Sequence, residues 1–132
     1  MLRVPRRPVF WLCASIVWFC VLFYLSSETH PGAIFPPIPN IDKFEHFGYF
    51  FGGAGLFSAY LFWRNPPGAR WRIIIPVVIL TMAAVGRLDE YHQGFVPGRS
   101  GNDNSDWLAD ILGAAAGTLV FKMIHRRLKW DS

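Results

Sequence analysis

The chain has 132 residues and a net charge of +4; 52% of its residues are hydrophobic, 17% are aromatic and only 17% are charged. A soluble domain of this length cannot bury so much apolar surface, and the charged share of soluble proteins is about 25%. The composition therefore excludes a disordered chain, an ordinary soluble enzyme and, with 2 cysteines, a disulfide scaffold, and it indicates a membrane protein.

Four apolar segments approach the length of about 20 residues that a helix needs to cross a bilayer. Each should be helical, because unpaired backbone groups are costly in lipid. The sequence predicts an all-α integral membrane four-helix bundle, with the whole chain, 1–132, as a single domain. The approximate bounds of the helices are 9–25, 44–63, 73–93 and 107–124.

The first segment follows a basic N-terminus and contains no charged residue. A cleaved signal peptide is an alternative interpretation, but no small-residue cleavage site follows, and the segment exceeds the usual apolar length of about 7–15 residues. We therefore expect a membrane-spanning helix. Cys13 and Cys20 lie seven residues apart on one face of this helix, and we predict that both are packing residues.

The second segment begins after a proline-rich stretch at 30–40, which we expect to be extended. Asn40 or Asp42 is a suitable helix cap. From Asp42, polar and small residues follow at intervals of 4, 3 and 4 through His46, Tyr49 and Gly53. This spacing places them on one helix face.

The third segment ends in a polar stripe. Its members are Gly86, Glu90 and Gln93, with Asp89 and His92 adjoining. We expect Gly94 to end the helix in a left-handed conformation. Pro97 and Gly98 predict a tight turn that presents Arg99.

The fourth segment repeats the spacing of 4, 3 and 4 with Asp106, Asp110, Gly113 and Gly117. The two glycines form a GxxxG element, which predicts a face buried against another helix and offers a surface for a helix–helix oligomer. Ser105 is the expected cap of this helix, with Asp106 favourable in its first turn.

Charge predicts the orientation of the bundle. Ten of the 13 basic residues lie on the side that carries both termini and the 64–72 loop. By the positive-inside rule, both termini should be cytoplasmic. Eight of the nine acids lie on the opposite side, which indicates that the outer end of the bundle has a function.

All three polar stripes begin at this outer side, so a polar pocket is predicted where they meet. Asp42 and His46 are an i, i+4 pair that could be a structural hydrogen-bonded pair, a substrate site, an acid–base pair or metal ligands. Arg99 suits a phosphate or carboxylate, or could pair with Asp106 or Glu90. The pocket residues are Asp42, Lys43, His46, Tyr49, Asp89, Glu90, Gln93, Arg99, Asp106 and Asp110.

Three ordered motifs resemble the signatures of the VanZ-like family. They are DKFEH at 42–46, DEYHQGFVPGR at 89–99 and DWLADILG at 106–113. The departure is Asp110, where the family pattern often has Asn. The resemblance implies a small multi-pass protein of the bacterial cytoplasmic membrane, in a family whose named member is associated with teicoplanin resistance.

The favoured hypothesis is that the pocket binds an amphipathic envelope ligand, either a lipid-linked wall precursor or a lipoglycopeptide. One alternative is a membrane hydrolase or transferase acting on a lipid headgroup, with His46 and Glu90 as the candidate catalytic residues. Another is a non-catalytic structural or interaction subunit. We expect membrane lipids as partners, and no nucleic acid, cofactor or resident metal.

Overall fold

The computed structural model describes residues 3–28, 39–65 and 71–128. Its four helices are α1 (Pro8–Ser27), α2 (Ile41–Arg64), α3 (Trp71–Gln93) and α4 (Asn104–Ile124). The predicted all-α architecture is confirmed, and each helix exceeds its predicted bounds by no more than three residues at either end. The expectation of an extended segment at 30–38 lies outside the described residues.

Three of the helices are long and apolar enough to cross a membrane, namely α1, α3 and α4. The remaining helix, α2, has 24 residues, which at a rise of 1.5 Å per residue is also long enough. Polar and small residues along the helix lower its hydropathy, among them His46, Tyr49, Tyr60 and four glycines. The fourth span and the cytoplasmic termini stay predictions.

Close packing of α2 against α4 organises the bundle, and this is its most extensive helix pair. A Cβ atom added at Gly113 would collide with the carbonyl oxygen of Phe47, and one added at Gly117 would collide with that of Phe51. The predicted burial of the GxxxG face is therefore confirmed. Its close contact is made within the chain, and association between copies of the chain stays a prediction.

The core is small and lies among all four helices, around Phe50, Val78 and Ala114. Large apolar side chains also cover the outside, as at Phe10, Val17 and Leu80, each at least half exposed. Such a surface suits lipid, where these side chains need no burial. Cys13 and Cys20 are exposed on α1, so the prediction that both are packing residues is wrong for the interior of the described bundle.

Two helix ends differ from the predictions. The cap of α4 is Asp103, whose side chain accepts the Ser105 and Asp106 backbone N–H groups, and Ser105 lies inside the helix. Gly94 follows the end of α3 without a left-handed φ, which occurs at Gly98 with φ 80°. The Arg99 N–H donates to the Val96 carbonyl at 3.2 Å, which confirms the turn through Gly98.

Candidate functional site

Four helix termini meet at one end of the bundle, which we call the acidic end: the end of α1, the start of α2, the end of α3 and the start of α4. Five ionisable side chains are buried there, each no more than 7% exposed. Because buried charges are costly unless they are paired, their arrangement is the main constraint on this part of the fold. The five are His46, Asp89, Glu90, Asp106 and Asp110.

His46 is the centre of this group. Its Nδ1 lies 2.8 Å from Oδ1 of Asp110 on α4. Its Nε2 faces Oε1 of Glu90 on α3 at 3.5 Å and Oδ2 of Asp106 on α4 at 3.8 Å. One imidazole from α2 is therefore surrounded by three carboxylates from the two helices that carry the other polar stripes.

A glycine on α3 makes room for the Asp110 carboxylate. A Cβ atom at Gly86 would lie 2.6 Å from Oδ2 of Asp110, well inside van der Waals contact. The small residue at the start of the α3 stripe thus allows α4 to place a buried carboxylate beside His46. Gly86 is a positioning residue that acts through Asp110.

Lys43 bridges the buried group to the surface. Its Nζ donates to Oδ1 of Asp106 at 3.2 Å and to Oδ2 of Asp42 at 3.4 Å. The Asp42 side chain is 52% exposed, so the predicted pairing of Asp42 with His46 is wrong, because His46 turns toward α4.

A second chain of hydrogen bonds ties α1 to α3. Ser26 Oγ donates to Oδ1 of Asp89, and Nε2 of Gln93 donates to Oδ2 of Asp89 at 2.7 Å. Arg99 Nη2 donates to Oε1 of Gln93 at 3.1 Å, and Arg99 Nη1 donates to the Glu28 carbonyl at 3.4 Å. Ser26 could not be identified as a site residue from the sequence, because a serine at the end of an apolar helix gives no indication of its partner.

The loop between α3 and α4 folds over Glu90. Oε2 of Glu90 accepts the Asp103 N–H at 2.9 Å, and its main-chain oxygen accepts the N–H groups of Gly94 and Asn102. A Cβ atom at Gly101 would overlap the backbone of Gly94, so only glycine fits there. Within the part of the chain that the structure describes, Oε1 of Glu90 has no hydrogen-bond partner.

A cavity of about 340 Å³, lined by charged, polar and apolar side chains, opens beside this group. Beside it, an apolar groove of about 880 Å³ runs along the outer surface of α1 and α2. Glu45 and Tyr49 line both spaces, so the cavity and the groove adjoin. The cavity is lined by Leu22, Leu25, Ser26, Glu28, Glu45, His46, Tyr49, Asp89, Gln93 and Arg99.

The predicted pocket residues therefore divide into three sets. His46 belongs both to the buried group and to the cavity wall, as does Asp89, while Tyr49, Gln93 and Arg99 line the cavity. Glu90, Asp106 and Asp110 lie behind the wall, within the buried group. Asp42 stands outside at the surface, and Lys43 contacts both Asp42 and Asp106 of the group.

The family comparison covers nearly the whole bundle. A model of the VanZ/LLP1 family matches residues 9–125, a range that contains all three motifs of the acidic end. No curated protein and no solved structure matches the chain.

Proposed function

Because the chain belongs to the VanZ/LLP1 family, we propose that it is a multi-pass protein of the bacterial cytoplasmic membrane that binds an amphipathic envelope ligand at the acidic end. The ligand class is a lipid-linked wall precursor or a lipoglycopeptide such as teicoplanin. Reduced susceptibility to teicoplanin is the phenotype that this binding would produce.

The observation that carries the proposal is that the apolar groove and the cavity adjoin at Glu45 and Tyr49. The groove is bordered by apolar side chains of α1 and α2, including Val17, Val21 and Phe44, and it faces the region that lipid would occupy. The cavity beyond Glu45 and Tyr49 has a mixed lining that includes charged side chains such as Arg99 and Glu28. An amphipathic molecule can place its acyl or isoprenoid chain in the groove and its headgroup in the cavity.

The side chains of the cavity suit a headgroup with both anionic and hydrogen-bonding groups. Arg99 offers a guanidinium, whose planar fork matches a phosphate or carboxylate. Glu28, Glu45 and Gln93 offer oxygen atoms that can accept hydrogen bonds from sugar hydroxyls or peptide amides. Wall precursors and lipoglycopeptides both carry such groups.

The groove is tested by filling it. Val17→Trp places a bulky side chain in the groove, whereas Leu119→Trp adds the same side chain to an exposed position on α4 that lies outside the groove. With protein in nanodiscs and a fluorescent lipid-linked wall precursor as probe, Val17→Trp should weaken binding at least tenfold and Leu119→Trp should leave it unchanged. Equal binding by the two variants would refute the groove as the site of the ligand's acyl or isoprenoid chain.

The headgroup site in the cavity is tested by replacing Arg99. Arg99→Ala should weaken binding of the same probe by roughly 10- to 100-fold, since hydrogen bonds to charged groups contribute about 1.5–3 kcal/mol. Arg87→Ala is the control, because Arg87 contacts Asn104 and Trp107 outside the cavity. The same variants should be scored for membrane abundance and teicoplanin susceptibility. Unchanged binding by Arg99→Ala would remove Arg99 from the headgroup site.

A membrane hydrolase or transferase is the second candidate, favoured by the 3.5 Å approach of Nε2 of His46, which lines the cavity, to Oε1 of Glu90 behind the cavity wall. An imidazole and a carboxylate at this separation can exchange a proton with a bound substrate. Turnover of a panel of lipid phosphates by purified protein supports this candidate if it is lost in Glu90→Gln. No turnover by the wild type counts against it.

A further inference from the structure

We propose that the buried group around His46 is a binding site for a divalent cation of the Zn²⁺ or Mn²⁺ class, with Nε2 of His46 and Oε1 of Glu90 as its principal ligands. The carboxylates of Asp89 and Asp106 lie beside them and supply further oxygen ligands. This proposal does not depend on the lipid ligand, because the cation site is built from side chains of the chain alone.

The first support is an unsatisfied oxygen atom. Glu90 is fully buried, and its Oε2 is held by the Asp103 N–H, but Oε1 has no hydrogen-bond partner among the described residues. A buried carboxylate oxygen without a partner is costly. Oε1 points at Nε2 of His46 across 3.5 Å, which is too long for a good hydrogen bond. A cation between these two atoms would satisfy both.

The second support is the orientation of the imidazole. Nδ1 of His46 lies 2.8 Å from Oδ1 of Asp110, so a proton on Nδ1 can be donated to that carboxylate. The lone pair of Nε2 is then directed at Glu90 and Asp106. Metal-bound histidines generally have this arrangement, in which a carboxylate holds the opposite ring N–H and so orients the ligand nitrogen.

The third support is the spacing of the ligand atoms. Bonds of about 2.0–2.2 Å to nitrogen and oxygen separate two ligands of a tetrahedral Zn²⁺ by roughly 3.3–3.6 Å. Nε2 of His46 lies 3.5 Å from Oε1 of Glu90 and 3.8 Å from Oδ2 of Asp106. Ligand atoms of His46, Asp89 and Glu90 all lie within 4.8 Å of one another. Small side-chain shifts would bring three ligands to bonding distance.

The fourth support is charge. Four carboxylates of the acidic end are buried, and the described ion pairs join them to the Lys43 ammonium and to the His46 imidazole. With His46 neutral, as a metal ligand must be, a divalent cation would offset most of the remaining negative charge. It has a route to the site, because His46 and Asp89 also line the open cavity. The competing arrangement is a metal-free network in which His46 is protonated.

The test is a metal titration of the full chain in detergent micelles, without any lipid-linked probe. After removal of metals with a chelator, the protein should bind one Zn²⁺ per chain by calorimetry and by elemental analysis. Co²⁺ in place of Zn²⁺ should give visible absorption bands that report ligands from the protein. Less than about a tenth of an ion bound per wild-type chain at micromolar Zn²⁺ would overturn the proposal, whatever the variants do.

Two variants identify the ligands. Glu90→Gln keeps an oxygen for the Asp103 N–H but places an amide nitrogen at the position of Oε1, and it should weaken Zn²⁺ binding at least 100-fold. Glu45→Gln is the matched control, because Glu45 lines the cavity outside the buried group. Circular dichroism confirms that both are helical. If Glu45→Gln weakened binding as much as Glu90→Gln, the ion would belong to the open cavity and the proposed ligands would be wrong.

A third variant tests the orienting carboxylate. Asp110→Asn keeps an oxygen for Nδ1 of His46 and removes the charge, and loss of such partners typically weakens metal binding by 10- to 100-fold. The stoichiometry should stay at one ion per chain and the Co²⁺ spectrum should be retained. An unchanged affinity would contradict the positioning role of Asp110. Because no lipid probe is present, these results are separate from those for the proposed ligand site.

Discussion

Substitution of Gly113 by Ala tests the packing that brings α4 against α2. In an open helix position this change should stabilise, since Gly is about 1 kcal/mol less favourable than Ala in a helix interior. At Gly113 the added Cβ would collide with the carbonyl oxygen and backbone carbons of Phe47. The obstacle is backbone and cannot turn away as a side chain can, so the two helices must separate.

The expected cost follows from this geometry. Overpacking a close-packed interior costs about 1–3 kcal/mol, and separation of α2 from α4 would also lengthen the 2.8 Å contact between His46 and Asp110. We therefore expect Gly113→Ala to lower the free energy of unfolding by about 2–4 kcal/mol, since loss of a buried pair adds to the overpacking. Because a Cβ at Gly117 would collide with the Phe51 backbone in the same way, Gly117→Ala should lower the free energy of unfolding by a similar amount.

Gly48→Ala is the matched control. A Cβ at Gly48 meets no atom of the described chain within 4 Å, so this variant should be unchanged or gain up to about 1 kcal/mol. Reversible unfolding in mixed micelles, followed by circular dichroism, gives the three free energies. If Gly113→Ala were as stable as Gly48→Ala, the close approach of α4 to α2 would be refuted.

Three further predictions concern the helix ends and the orientation. Asp103→Ala should destabilise the protein by about 0.5–2 kcal/mol because it removes the cap of α4, whereas Ser105→Ala should change the free energy of unfolding by less than about 0.5 kcal/mol; equal effects would contradict Asp103 as the cap. Ser26→Ala should cost about 1.5–3 kcal/mol by removing a donor from the buried Asp89 carboxylate; the exposed Ser27→Ala is the control, and the comparison uses the same unfolding assay. A reporter fused to the C-terminus should be active only on the cytoplasmic side, and activity on the outer side would reverse the predicted orientation.

The acidic end contains two sets of side chains, one in the buried group and one that lines the cavity. Glu90, Asp106 and Asp110 hold His46 from behind the cavity wall, while Arg99 and Gln93 face the open space. Variants of the first set should change metal binding in micelles, and variants of the second should change lipid binding in nanodiscs. The two assays can therefore assign a function to each set independently.

The helices, the packing face of α4 and the turn before Arg99 were predictable from local features of the sequence. Four helices were predictable because apolar length and the need to pair backbone groups in lipid are properties of each segment alone. The repeat of Gly113 and Gly117 identified a packing face of α4, and Pro97 with Gly98 identified the turn before Arg99. Each of these features depends on residues within a few positions of one another.

Which polar groups meet depends on how the helices pack against one another. Spacing places Asp42 and His46 on one face of α2, but it does not determine how that face is rotated against a neighbouring helix. The packing of α4 onto α2 turns His46 toward Asp110 and leaves Asp42 at the surface. Ser26 could not be predicted for the same reason, because its partner Asp89 is 63 residues away and is brought to it only by the docking of α1.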